Sequence, residues 1–215
     1  MFNLSEKESE ILKKLNTPKK IQDFLDLIPI NFEPQGDTCL SPREVLKQNR
    51  AHCIEGALFA ALALRIHGCP PLIVDLTSAK GDEDHVIAVF KQHGHWGAIS
   101  KTNHAVLRYR EPIYKTIREL VLSYFHEYFT NHDRKKTLRT YTLPINLKQF
   151  DKKAWMTAEQ DLWYIVDKIF ETKHYPLLNK KQIATLRKAD LIEVKSSEIL
   201  EWQKRLSKNP WKSKV

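Results

Sequence analysis

Residues 48–65 read QNRAHCIEGALFAALALR, and the fold turns on how this stretch is read. From Ile54 to Leu64 the only charged residue is Glu55, so a helix here is apolar nearly all round. Such a helix is buried on every side rather than laid on a surface. Gly68 supplies a helix stop, and Pro70 and Pro71 forbid continuation. Cys53 stands at the mouth of this helix. There, unpartnered backbone N–H groups and the positive end of the helix dipole favour thiolate over thiol.

The flanking elements follow from their own signals. Ser5 with Glu8 forms a capping box ahead of Ile11, Leu12 and Leu15. Thr17 and Pro18 start a second helix with Ile21, Phe24, Leu25 and Ile28 on one face, and Ser41, Pro42 and Glu44 start a third. Beyond the apolar helix, LIVDL (72–76), HVIAVF (85–90) and WGAIS (96–100) read as strands, the last two joined by the turn KQHGH. Pro112 is expected to open a long amphipathic helix with Ile113, Ile117, Leu120, Val121, Tyr124, Phe125 and Tyr128 buried. YTLPINL (141–147) reads as one more strand. Past Phe150 helices dominate: Thr157 with Gln160 caps one carrying Leu162, Val166, Ile169 and Phe170, Asn179 caps a short one and Ser197 a last one. The fold class is α+β, a central buried helix packed on an antiparallel sheet. Residues 1–148 form the α+β domain, and 149–215 a basic helical extension packed on it.

Composition narrows the function classes. The chain has 215 residues, 42% of them hydrophobic, which is enough for a sizeable core. The start, MFNLSEKESEILKK, has no apolar stretch of signal-peptide type, and the longest apolar run, Ala57–Leu64, is far short of the roughly 20 residues a membrane span needs. Three cysteines are too few and too odd for a secreted disulfide scaffold. The expectation is a cytoplasmic protein with reduced thiols and no membrane association. The net charge of +9 lies entirely beyond residue 100, where 24 basic groups face 13 acidic ones. No recognition motif accompanies that excess, so it is read as solvated helical faces rather than a nucleic-acid surface.

The chemistry centres on Cys53 and His85. A histidine beside a thiolate stabilises it and then moves a proton to a leaving group. His85 suits that role because it begins a predicted strand, directly after the polar turn GDED. That turn is read as solvated. His52 and Cys53 with His67 and Cys69 give the spacing HC-x13-HxC, which matches no zinc-ligand pattern, so no metal or cofactor is assigned.

Two strings, SPREVLKQNRAHCIEGALFAALALRIHGCPPLIVDL (41–76) and DHVIAVFKQHGHWGAISKTN (84–103), resemble the transglutaminase-like branch of the papain-type cysteine enzymes. The resemblance covers roughly residues 18–104, and its most specific parts are the Cys53 helix and its RIHGCPP exit. It implies a papain/transglutaminase-like fold with Cys53 as nucleophile and His85 as base. The family's strand carries a Trp that packs over the active site, matched by Trp96, and then ends in Asp-Pro-Thr. Here Ser100 takes the Asp place and Thr102 matches the Thr. A serine hydroxyl orients an imidazole without offsetting its charge. Asn103 is the other candidate, because an asparagine carbonyl can orient a histidine as in papain-like enzymes. Gln48 and Asn49 lie just upstream of the nucleophile, where cysteine enzymes often place an oxyanion-hole amide.

These residues lead to two expectations. One is a cysteine-nucleophile acyl-transfer enzyme, an amide or peptide hydrolase or a transglutaminase-like transferase, working on a peptide or amide substrate through an acyl-enzyme. The other is a non-catalytic binding module of the same fold with a degenerate triad. In that case the basic second half would meet a protein partner.

Overall fold

The computed structural model describes residues 2–203. Three helices come first: α1 (Glu6–Lys14), α2 (Pro18–Leu27) and α3 (Pro42–Gln48). Each is capped by the expected side chain, Ser5, Thr17 and Ser41 respectively. Then comes α4 (Cys53–Ile66), in which every residue from Ile54 to Leu64 is buried. The sheet follows with β1 (Leu72–Ser78), β2 (His85–Gln92), β3 (His95–Ile99) and β4 (Arg110–Tyr114). After α5 (Ile117–Leu122) come β5 (Leu138–Thr142) and β6 (Ile145–Asn146). The remaining elements are α6 (Trp163–Glu171), β7 (His174–Pro176), α7 (Lys180–Ala184) and α8 (Leu191–Ser197).

The fold is α+β with a seven-stranded antiparallel sheet in the order β4-β3-β2-β1-β5-β7, with β6 also paired to β1. Both faces of the sheet are covered. Val86, Ala88 and Phe90 of β2 face α4 and its surrounding helices, while Ile87 and Val89 face a second core built on α5 and Tyr124. Burial on both faces explains why HVIAVF runs apolar without alternation. The core around α4 also takes in Trp155, Leu162 and Ile165, and β7 pairs with β5, so chain beyond residue 149 contributes to both the helical core and the sheet. Burying side chains such as Leu58, Phe59 and Leu62 contributes roughly 1.5–3 kcal/mol each. Among the described residues, no helix is long and apolar enough to cross a membrane.

Four expectations are corrected. The long helix from Pro112 is not formed: residues 110–114 make the edge strand β4, Ile113 is exposed, and the helix begins only at Ile117, capped by Thr116. Proline biases the residue before it toward extended backbone, and an edge strand tolerates its missing N–H. The later members of the expected stripe, from Ile117 to Tyr128, are buried. YTLPINL divides at Leu143-Pro144 into the end of β5 and the short β6, both paired with β1. Thr157 and Gln160 do not cap α6, which starts at Trp163 behind Leu162. The local signal loses to a tertiary one: the N–H of Leu162 donates to Cys39 O and the Cys39 N–H to Asp161 Oδ1. Phe170 of α6 is exposed. Ser197 ends α8 rather than starting a helix, and the cap is Asp190 with Glu193 as its box partner.

The approach of α4 to the chain leaving β3 requires a glycine. A Cβ on Gly56 would lie 2.4 Å from Cβ of the fully buried Lys101. Replacing Gly56 by Ala should therefore destabilise the protein by about 1–3 kcal/mol, read as a lowered urea midpoint. An unchanged midpoint would contradict this packing.

Candidate active site

Antiparallel pairing brings the site residues together. Ala88 of β2 lies opposite Ile99 of β3, so the start of β2 and the end of β3 share one end of the sheet. His85 is the first residue of β2 and Ser100 the residue after β3. The turn before His85 is pinned by its own acids: Asp84 Oδ1 accepts from the Ser78 N–H at 2.7 Å, and Asp82 Oδ2 from Thr137 Oγ1 at 2.5 Å. The α4 helix packs across β2 and presents Cys53 at its first turn.

The buried His85 ring bonds through Nε2 to Ser100 Oγ at 2.8 Å, and the Ser100 hydroxyl donates to the Leu107 carbonyl at 2.5 Å. A hydroxyl has one proton. Because that proton goes to Leu107, Ser100 accepts from the imidazole, and Nε2 carries the hydrogen. Nδ1 is then the nitrogen left for the sulfur, as a base when the ring is neutral. The serine is itself held on both sides: its N–H donates to Gln22 Oε1 at 2.9 Å, and Gln22 Nε2 donates to its carbonyl at 2.8 Å.

Cys53 is partly exposed, and its sulfur interacts with two imidazoles, His85 and the adjacent His52. Burial pushes the thiol up. Hydrogen bonding to His52 and His85, together with their positive charge, more than offsets this and brings the thiol from about 9 down to about 5. Burial likewise opposes the charged form of His52. Its bonding to Cys53, the charges of Cys53 and Glu55 and the Thr38 carbonyl outweigh burial and raise it to about 9.

His52 is the neighbour of the sulfur that the sequence brings up only in a metal-ligand pattern. Its ring Nε2 lies 3.0 Å from Thr38 O, 3.3 Å from Glu33 Oε1 and 3.3 Å from Glu55 Oε1. Glu55 is fully buried and accepts from the Asn31 amide, from Thr38 Oγ1 at 2.7 Å, from the Leu40 N–H at 3.0 Å and from the His52 N–H at 2.9 Å. A signal was available: one carboxylate in an otherwise apolar helix, three residues after a histidine at the cap.

The other candidates lie elsewhere. Asn103 turns to the C-terminal segment, where its amide exchanges two hydrogen bonds with the Trp202 backbone, and it does not orient His85. Trp96 sits opposite Lys91, six residues along β2 from His85, with the Lys91 ammonium 5.5 Å from its ring centre. It belongs to the other end of the hairpin and does not roof the cysteine. The Gln48 amide is occupied by Glu44 and Arg50, and Asn49 takes the left-handed position that ends α3. Cys69 follows the far end of α4, about 20 Å from Cys53 at 1.5 Å per residue. His67 Nε2 is bound to the Leu12 carbonyl. Among the described residues, no group of three His, Cys, Asp or Glu side chains is set to hold a metal ion.

Several cations of the basic second half are matched within the chain. Arg108 pairs with Glu201, Arg110 with Glu127, Lys136 with Glu193 and Arg187 with Asp190. Comparison with protein-family models and with curated proteins gives no match to this chain.

The depressed thiol makes a direct prediction. Alkylation of Cys53 by iodoacetamide should follow thiolate and rise with a midpoint near pH 5, about four units below an ordinary thiol. The rate is measured on the Cys53 peptide by mass spectrometry. A midpoint between about 8 and 9, the range of an unperturbed cysteine, would sink the activated-thiolate description.

Proposed function

We propose that this protein is a cysteine-nucleophile acyl-transfer enzyme of the transglutaminase-like, papain-type kind, acting on a peptide or other amide. One observation carries the reading: a helix-terminal cysteine meets an imidazole whose tautomer is fixed from behind by Ser100. The resemblance of residues 41–76 and 84–103 to that enzyme branch supports it, as does the α+β plan of a buried helix on an antiparallel sheet. The missing carboxylate behind His85 does not remove the base, because orientation and tautomer are both supplied by a neutral hydroxyl.

The steps follow from the geometry. The Cys53 thiolate attacks the carbonyl carbon, an S–C bond forms, and the oxygen takes the charge near the N–H groups of the first turn of α4. The C–N bond breaks as the protonated Nδ1 of His85 gives its proton to the departing amine, leaving a thioester. Water or a second amine then attacks the thioester while neutral Nδ1 takes its proton, and the thiolate departs. Throughout, Nε2–H stays on Ser100.

An activated ester tests this without knowledge of the natural substrate. p-Nitrophenyl acetate should place one acetyl group on Cys53 as a thioester, and Ser100→Ala should slow hydrolysis of that thioester roughly 10–100-fold with the fold intact. Acetylation of Cys53 no faster than of Cys69 would leave the non-catalytic module as the better description.

A further inference from the structure

We propose that His52 is a second catalytic imidazole, which stays protonated and holds the Cys53 thiolate, so that His85 alone carries the proton during turnover. This deepens the acyl-transfer reading and rests on it.

The surroundings of the ring argue for its charge. Three acceptors converge on His52 Nε2: a peptide carbonyl and two carboxylates, the nearest carboxylate oxygens at 3.3 Å. Nothing in that set donates to Nε2, so it carries a hydrogen in either state of the ring. With Nε2 engaged, Nδ1 is the nitrogen left for the sulfur. The site therefore has two forms with the same proton count, S–H facing a bare Nδ1, or S⁻ facing N–H⁺. Two carboxylates beside the ring, one fully buried, favour the second form, and the start of a 14-residue helix favours the anion on sulfur.

His85 differs in this respect. Behind its Nε2 stands a neutral hydroxyl backed by a carbonyl, with no carboxylate. Its proton can leave for an amine and return from water with no anion holding it in place. The two rings thus divide a task that a single histidine usually performs. When the thioester forms, the sulfur loses its charge, yet His52 keeps its proton against Glu33 and Glu55 and is ready to receive the thiolate again.

The other ionisable groups near the pair do not interfere. Glu33 comes from the loop after α2, Glu55 from α4 and His85 from β2. Burial pushes the Cys39 thiol and the Tyr128 phenol far up, so both remain protonated across the working range.

The test is the pH profile of Cys53 alkylation by iodoacetamide, combined with p-nitrophenyl acetate turnover, in the full chain. His52→Gln should move the alkylation midpoint up by more than about one pH unit. His85→Ala should keep most of the thiolate at pH 7 but lower turnover by roughly 100-fold or more. Glu33→Gln, a change at a partly exposed loop carboxylate, should lower the pH at which His52 loses its proton, about 9 in the wild type, by about half a unit, read from the ring C–H resonance by NMR. A His52→Gln midpoint equal to that of the wild type overturns the division of roles and leaves the acyl-transfer reading standing. That reading fails separately, if wild-type Cys53 itself titrates as an ordinary thiol. Should His52→Gln not fold, by circular dichroism, the Glu33→Gln titration of His52 decides, and an unshifted His52 midpoint counts against the proposal.

Discussion

The Glu55 carboxylate is the constraint from which the site is built. It is the one charged group in the apolar run of α4, it is fully buried, and it is surrounded by donors from Asn31, Thr38, Leu40 and the His52 backbone. A buried carboxylate is tolerated only with such a set, because each lost donor would leave charge unsolvated in a low-dielectric interior. These bonds fasten the loop between α2 and α3 to the first turn of α4. They thereby fix where the helix begins, where Cys53 stands and how the His52 ring is turned. The apolar remainder of α4 only has to be buried, and the sheet on one side and α1–α3 on the other bury it.

Much of this was legible in the chain, and the limits follow a physical pattern. Signals that act within one turn held: the Ser5, Thr17, Ser41 and Asn179 caps, the stop at Gly68 and the start of β2 at His85 all stand where the sequence puts them. Signals that compete with distant partners did not. Thr157 offers a cap, but Cys39 takes hold of Asp161 and Leu162 from across the molecule and sets the start of α6 instead. Residues 110–114 alternate too little to announce a strand, and only the exposed edge of β3 recruits them.

The site divides in the same way. Cys53, His85 and Ser100 were visible because each ends or begins an element, and element ends can be read from sequence. Asn103 looked equivalent to Ser100 on chemistry alone. It differs because the chain turns between them, and the amide meets Trp202, about a hundred residues away in sequence. Trp96 fails for a reason of length: a strand rises about 3.3 Å per residue, so four residues from Ser100 is already the other end of the hairpin. The charged setting of His52 was hidden because its carboxylate partners are one turn ahead and a whole helix behind.

A serine can take the place of a carboxylate behind a histidine only if it cannot wander, and here two consecutive residues are clamped to α2. The amide of Gln22 binds both the N–H and the carbonyl of Ser100, so the backbone is held on both sides by one buried side chain. Next to it, Lys101 is buried and its ammonium donates to the carbonyls of Leu25 and Ile28 at 2.8 and 2.6 Å, at the C-terminal end of α2, where a cation is favoured. With the main chain fixed this way, the hydroxyl has little freedom beyond its own rotation, and the Leu107 carbonyl stops that rotation. The hydroxyl contributes direction rather than charge. Carboxylates stand instead beside the second imidazole at the sulfur, where His52 faces Glu33 and Glu55.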